Sequence, residues 1–348
     1  VISGYDENDP TSLSEKARMR ISAAYQVDHG ISERPLRIGV PLDYNITDLD
    51  PEIRHTWTRA LEALQSQSHV IVPTSLPSTR HALSAYYILA PAEASSNLAR
   101  YDGVRFGSRA QGSDIQGGTL YSKTRDEGLG AEVKRRILLG SYTLSSEAIH
   151  NYFLKAQEIR RLVQNEFDGV FKTKNPLRDQ HEAAKDNPEA VDVLLCPTAP
   201  NLPPKLSAVE TLSPVESYMT DVFTVPASLA GLPAISIPVR AESGLGSVGM
   251  QIIGQFGADA LVLDVASLFE KSGLIVARSG TASSSQLSTP SAISDKACAS
   301  ESNLTQPGRE RRFSEELANA YFNHQRVYGR GIKAVQYYRE RGQRSPLR

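Results

Sequence analysis

Two cysteines in 348 residues, Cys196 and Cys298, are too few for a disulfide framework or a zinc site. Long apolar runs are missing as well. No stretch reaches the roughly 18 apolar residues that a membrane-spanning helix needs. Net charge is almost absent: 38 Lys and Arg stand against 39 Asp and Glu, a formal −1. No overall field therefore draws the chain to nucleic acid or to an anionic membrane. His81, His150 and His324 have no partner spacing for metal or triad work and read as structural or surface residues. No internal repeat is visible. The first residue is Val1, and no basic, amphipathic presequence precedes it. Either a segment was removed or the chain is a fragment. What remains is ordinary globular composition, 40% hydrophobic and 22% charged, enough for one large domain or two smaller ones.

The chain is organised around Asp221 to Pro238. An acid stands where a helix is expected to start, and the helix dipole favours negative charge there. An apolar segment leads to the breaker Gly231-Leu232-Pro233. Ala234 to Pro238 then alternates as a strand does. Taken alone, Asp221 reads as a helix cap.

Other segments are equally legible. Gly4 to Ser12 reads as turn and loop. Leu36 to Pro41 and His69 to Pro73 read as strands. Between them Asp50-Pro51 starts a helix with Ile53, Trp57, Ala60, Leu61 and Leu64 on one face. That order predicts a βαβ unit with parallel strands. Thr79 to Leu98 reads as a largely buried helix. Residues 107–130 read as a surface loop, Glu132 to Leu139 as helix, and Ser145 to Phe171 as one long amphipathic helix. Lys172 to Ala190 is a charged loop. Val191 to Pro200 is a buried central strand running into a turn, with Cys196 packed inside it. Gly249 to Gly254 is a further strand, and Asp259 to Leu268 a helix over it. Residues 278–308 form a low-complexity linker expected to be disordered. Residues 309–348 return to helical periodicity with many arginines, a basic helical tail that packs on its own domain or meets a partner, tRNA or a membrane surface.

Three blocks carry a resemblance: Asp221 to Pro238 with its AGLPA, Tyr86 to Gly107 (YYILAPAEASSNLARYDGVRFG), and Glu127 to Gly140 (EGLGAEVKRRILLG). They resemble the amidase signature family and, within it, the A subunits of glutamyl-tRNA(Gln) amidotransferases. The resemblance runs from about Val1 to Gly273. It implies an α/β fold with a mixed β-sheet covered by α-helices, incomplete because the N-terminal half is missing. Residues 1–277 are then the C-terminal part of an amidase domain.

In that family a Lys–Ser–Ser triad attacks the amide, a base-activated nucleophile beside preorganised oxyanion donors. The resemblance places all three groups upstream of this chain. No substitute stands here: Ser283-Ser284-Ser285 lacks glycines, Ser95-Ser96 lies in a helical block, and Lys134 is flanked by Arg135 and Arg136. The chain alone is therefore expected to release no ammonia from glutamine. The resemblance implies three substrate-binding residues: Arg136 for the α-carboxylate, Asp221 for the α-ammonium, and Tyr86, the first of two tyrosines, for the same end of glutamine. Without it they read as a surface ion-pair Arg, a cap Asp and a core Tyr. The chain departs from the family at Ser228, where Asn is common.

The implied function is ammonia release from glutamine for conversion of Glu-tRNA(Gln) to Gln-tRNA(Gln) in translation; the insertions and the low-complexity tail point to the mitochondrial matrix. The implied partners are a B subunit together with a small C- or F-type subunit. On the B subunit ATP and magnesium are expected, with no cofactor or metal on this chain, and tRNA contacts come mainly from the B subunit. The alternatives are a stand-alone amidase of another specificity, or a non-catalytic interaction protein built from half an amidase.

Overall fold

The computed structural model describes residues 4–9, 11–25, 34–112, 119–178, 187–209, 214–243 and 246–274. The expected linker 278–308, the tail 309–348, Cys298 and His324 lie outside them. The described residues fall within one compact unit, Val1–Thr281.

Among the described residues a five-stranded mixed sheet sits at the centre, in the order β2-β1-β3-β5-β4. The strands are β1 (Arg37–Pro41), β2 (Val70–Thr74), β3 (Val193–Pro197), β4 (Ala234–Arg240) and β5 (Ser247–Gly254). β1 runs parallel to β2 and β3, while β5 is antiparallel to both β3 and β4. β3 is buried along its whole length, as its unbroken apolar run requires. β4 at the edge alternates, with Ile237 and Val239 turned into the core.

The helices among the described residues are α1 (Glu15–Tyr25), α2 (Pro51–Ser66), α3 (Ala82–Asn97), α4 (Ser122–Gly128), α5 (Ala131–Thr143), α6 (Phe153–Val170), α7 (Leu206–Val209), α8 (Pro214–Met219), α9 (Val225–Ala230) and α10 (Asp259–Lys271). The start of α2 follows from its sequence: the Asp50 carboxylate accepts the Glu52 N–H at 2.8 Å, and Pro51 needs no partner in the first turn. Its apolar face lands on the sheet, where Trp57 Nε1 donates to the Leu195 carbonyl at 3.2 Å. The head of β3 is fixed by Asp192, whose two oxygens accept from the Arg34 guanidinium at 3.0 Å and the Arg37 N–H at 2.8 Å. α9 ends at Gly231, which takes the left-handed conformation with φ 81° that the breaker predicts. α6 holds that end from the side, as Arg160 Nε donates to the Leu229 carbonyl at 3.0 Å.

Three expectations need correction, and one helix was not expected. A helix, α1, follows the N-terminal loop. It docks on the body through the Tyr25 hydroxyl, which donates to the Phe256 carbonyl at 2.9 Å. Inside the expected loop 107–130, Ser122–Gly128 is helical. α6 begins at Phe153 rather than Ser145, because residues 145–152 form successive turns bonded to the Ser145 and Ala148 carbonyls. The cap position of α9 belongs to Thr224, so Asp221 stands in the turn before the helix and not at its cap.

Candidate functional site

The contact between α3 and α5 sets the site. Tyr87, Pro91 and Ser95 are spaced by four and lie on one face of α3. Arg136 and Gly140 are spaced by four on α5. Gly140 meets Pro91 so closely that a Cβ there would stand 2.0 Å from the Pro91 carbonyl oxygen and 2.9 Å from Ser95 Cβ. One turn earlier on each helix, Arg136 therefore meets Tyr87, its guanidinium carbon 6.0 Å from the ring centroid.

The third member arrives from the turn between α8 and α9. The buried Tyr87 donates its hydroxyl to Asp221 Oδ2 at 2.8 Å. The Tyr218 ring from α8 lies over Tyr87 with centroids 4.3 Å apart. Thus a guanidinium and a carboxylate flank one tyrosine, with a second aromatic ring beside them.

The electrostatics agree with that arrangement. Burial first, then the hydrogen bond and charge of Asp221, push the Tyr87 phenol above its ordinary value, while Arg136 opposes them. The phenol is held neutral and acts as a donor. Arg136 is pushed above its usual range mainly by its bond to Glu132, whose Oε1 accepts from Nε at 2.9 Å. That bond leaves the two Nη groups of the fork for other acceptors. The Arg136 side chain is 39% exposed, so solvent reaches it. A carboxylate offers more acceptor sites than Tyr87 occupies on Asp221. The arrangement sets one cationic and one anionic group against the same tyrosine, each with bonding capacity left.

Of the three residues singled out from sequence, the structure brings Arg136 and Asp221 together around Tyr87. Tyr86 stands beside them, its ring edge-on to Tyr87 at 5.4 Å and partly buried against the core. The hydroxyl on Asp221 belongs to Tyr87. Sequence reasoning missed Tyr87, Tyr218 and Glu132. The helical phase carried the signal for Tyr87, since it is four residues before Pro91 just as Arg136 is four before Gly140.

The other candidate nucleophiles and bases are occupied or buried. Lys134 Nζ pairs with Asp126 Oδ1 at 2.7 Å on the surface, and Ser95 donates to the Ala92 carbonyl at 2.8 Å. Burial pushes the Cys196 thiol up to about 12, far from a thiolate at neutral pH. His81 is pushed below its usual value, first by burial and then by Arg80. Among the described residues no group of three or more His, Cys, Asp and Glu is placed to hold a metal, and no helix is long and apolar enough to cross a membrane.

Comparison with known proteins agrees with the fold. The Amidase family model matches residues 1–263. The mitochondrial glutamyl-tRNA(Gln) amidotransferase A subunit of Coccidioides posadasii is 53% identical over 285 residues, which cover 78% of this chain and 56% of that protein. Its counterpart in Podospora anserina is 54% identical over 287 residues, covering 77% and 56%. Among solved structures, the glutamyl-tRNA(Gln) amidotransferase A subunit of Thermotoga maritima aligns with a TM-score of 0.51 at 29% identity, covering 78% of this chain and 48% of that one. The chain thus spans about half the length of the curated relatives it matches. With the family model matching from residue 1 to residue 263 and relatives identical at about every second position, the chain belongs to the amidase family.

Proposed function

We propose that this chain carries the amino-acid-binding side of a glutamyl-tRNA(Gln) amidotransferase A subunit working in the mitochondrion. The observation that carries the reading is the convergence of Arg136 and Asp221 on Tyr87, from three separate parts of the chain. Free glutamine holds a carboxylate and an ammonium on one carbon. A site that selects it over a simple amide needs a cation and an anion close together.

Arg136 receives the α-carboxylate through its Nη fork, whose geometry suits two parallel bonds. Glu132 orients that fork. Asp221 receives the α-ammonium, and Tyr87 holds the carboxylate of Asp221 from behind. This assigns to Tyr87 the place that the family resemblance suggested for Tyr86. Each charge-assisted contact contributes about 1.5–3 kcal/mol in a partly desolvated site. With both ends fixed, the side-chain amide is presented to the Lys–Ser–Ser groups of the family, which this sequence does not supply. Ammonia released there serves conversion of Glu-tRNA(Gln) on a B subunit that holds ATP and magnesium, with a small C- or F-type subunit completing the complex, in the matrix. A stand-alone amidase acting on simple amides has no use for the charge pair.

Calorimetric titration of the full-length protein with L-glutamine tests the reading. Arg136→Ala and Asp221→Asn are each expected to weaken binding about tenfold or more. Unchanged affinity in both variants overturns it.

A further inference from the structure

The strand β5 reads Ser-Val-Gly-Met-Gln-Ile-Ile-Gly, and one residue in it breaks the apolar pattern. Gln251 is 4% exposed, deep in the core between Met250 and Ile252. A buried amide is unfavourable unless its hydrogen bonds are made. The amide nitrogen of Gln251 makes its bonds: Nε2 donates to the Phe223 carbonyl at 3.0 Å and to Cys196 Sγ at 3.4 Å.

Phe223 is the second residue after Asp221. Its ring is stacked on Tyr44, with centroids 5.1 Å apart and planes at 17°. The Asp221 carbonyl in turn accepts from the Val225 N–H at 3.0 Å. The turn that carries Asp221 is therefore bolted to the sheet at one backbone carbonyl, and to the short turn that follows β1 at one ring. The geometry points to Gln251 as a positioning residue that sets where the Asp221 carboxylate stands, and so sets the preference of the site for an α-ammonium. This rests on the reading of Asp221 given above. Gln251 itself does not touch the ligand. Its amide fixes the turn, and the turn aims the acid.

Glutaramate separates this inference from that reading. It keeps the carboxylate and the amide of glutamine and lacks the α-ammonium, so it uses Arg136 and not Asp221. The measured quantity is the ratio of its Kd to that of L-glutamine, by calorimetry on the full-length protein. Asp221→Asn tests the site and is expected to lower the ratio about tenfold. Gln251→Met keeps the volume and removes the donor. It is expected to lower the ratio by about the same factor, with the glutaramate Kd within about twofold of the parent. Gln251→Asn keeps an amide but withdraws it from the Phe223 carbonyl, and is expected to behave alike. It decides the matter if the Met variant does not fold. A ratio unchanged in Asp221→Asn overturns the reading of the site. A ratio that falls in Asp221→Asn but holds in the Gln251 variants overturns the inference alone. Equal weakening of both ligands in the Gln251 variants also overturns it, since that marks general damage to the core.

Discussion

Asp192 and Asp221 are both partnered carboxylates, and they are partnered differently. Asp192 is sealed: one oxygen takes the Arg34 guanidinium, the other the Arg37 N–H, and its side chain is 4% exposed. Asp221 takes one neutral phenol on one oxygen and is only partly buried. The first arrangement commits both oxygens to the fold. The second keeps acceptors and charge in reserve, beside a guanidinium that has likewise committed only its Nε. A closed carboxylate is committed to structure, and a half-closed one has the spare acceptors that the proposed ammonium site requires.

The difference is open to direct attack. Asp192→Ala removes both of these bonds, leaves the Arg37 N–H unmet, and is expected to destabilise the fold by about 2–3 kcal/mol, read from a denaturant midpoint. Asp221→Asn is expected to move that midpoint by less than about 0.5 kcal/mol, since it removes no sealed contact. Equal losses in the two variants would erase the contrast.

Gly140→Ala strikes the framework of the open site. The new Cβ cannot coexist with the Pro91 carbonyl, so α3 and α5 must part. A stability loss of about 1–3 kcal/mol is expected, as for overpacking elsewhere. A clear rise in the L-glutamine Kd should accompany it, although no ligand group has changed. Retained affinity would show that Arg136 and Tyr87 do not depend on this approach.

The smallest effects separate the two tyrosines. Tyr87→Phe removes the hydroxyl from Asp221 and is expected to weaken L-glutamine binding about threefold to tenfold, the net contribution of one hydrogen bond. Tyr86→Phe should leave it within about twofold. The reverse order, measured by the same titration, would return the role to Tyr86.

Much of this molecule is legible from sequence where local chemistry and tertiary packing agree. Asp50-Pro51 specifies the start of α2, and the run from Val191 to Pro197 specifies a buried strand. Gly231-Leu232-Pro233 specifies the junction between α9 and β4. Legibility fails where packing decides. The apolar pattern of α1 is weak, and what holds it is distant in sequence: Tyr25 on Phe256, and Ile21 against Gly257. The turns before Phe153 share the periodicity of the helix that follows, so pattern alone runs the helix back to Ser145. The candidate site shows both cases. Arg136 and Asp221 stand out as charges inside blocks that carry the family resemblance. The choice between Tyr86 and Tyr87 is a matter of roughly 100° around one helix, fixed only by where α5 lies against it. Gln251 is visible as a polar residue in an apolar strand, but its bond to Phe223 is not.

The meeting of Gly140 with Pro91 also says where the chain is free to change length. Two residues must stay four apart on α3, and two must stay four apart on α5. Neither spacing involves the residues between the two helices. Insertions or deletions there alter the length of the detour and leave Tyr87 facing Arg136. A single residue added between 87 and 91, or between 136 and 140, turns one partner about 100° away and dissolves the site. The separation of these residues in sequence is an accident of the detour, while their separation in space is set by a missing side chain.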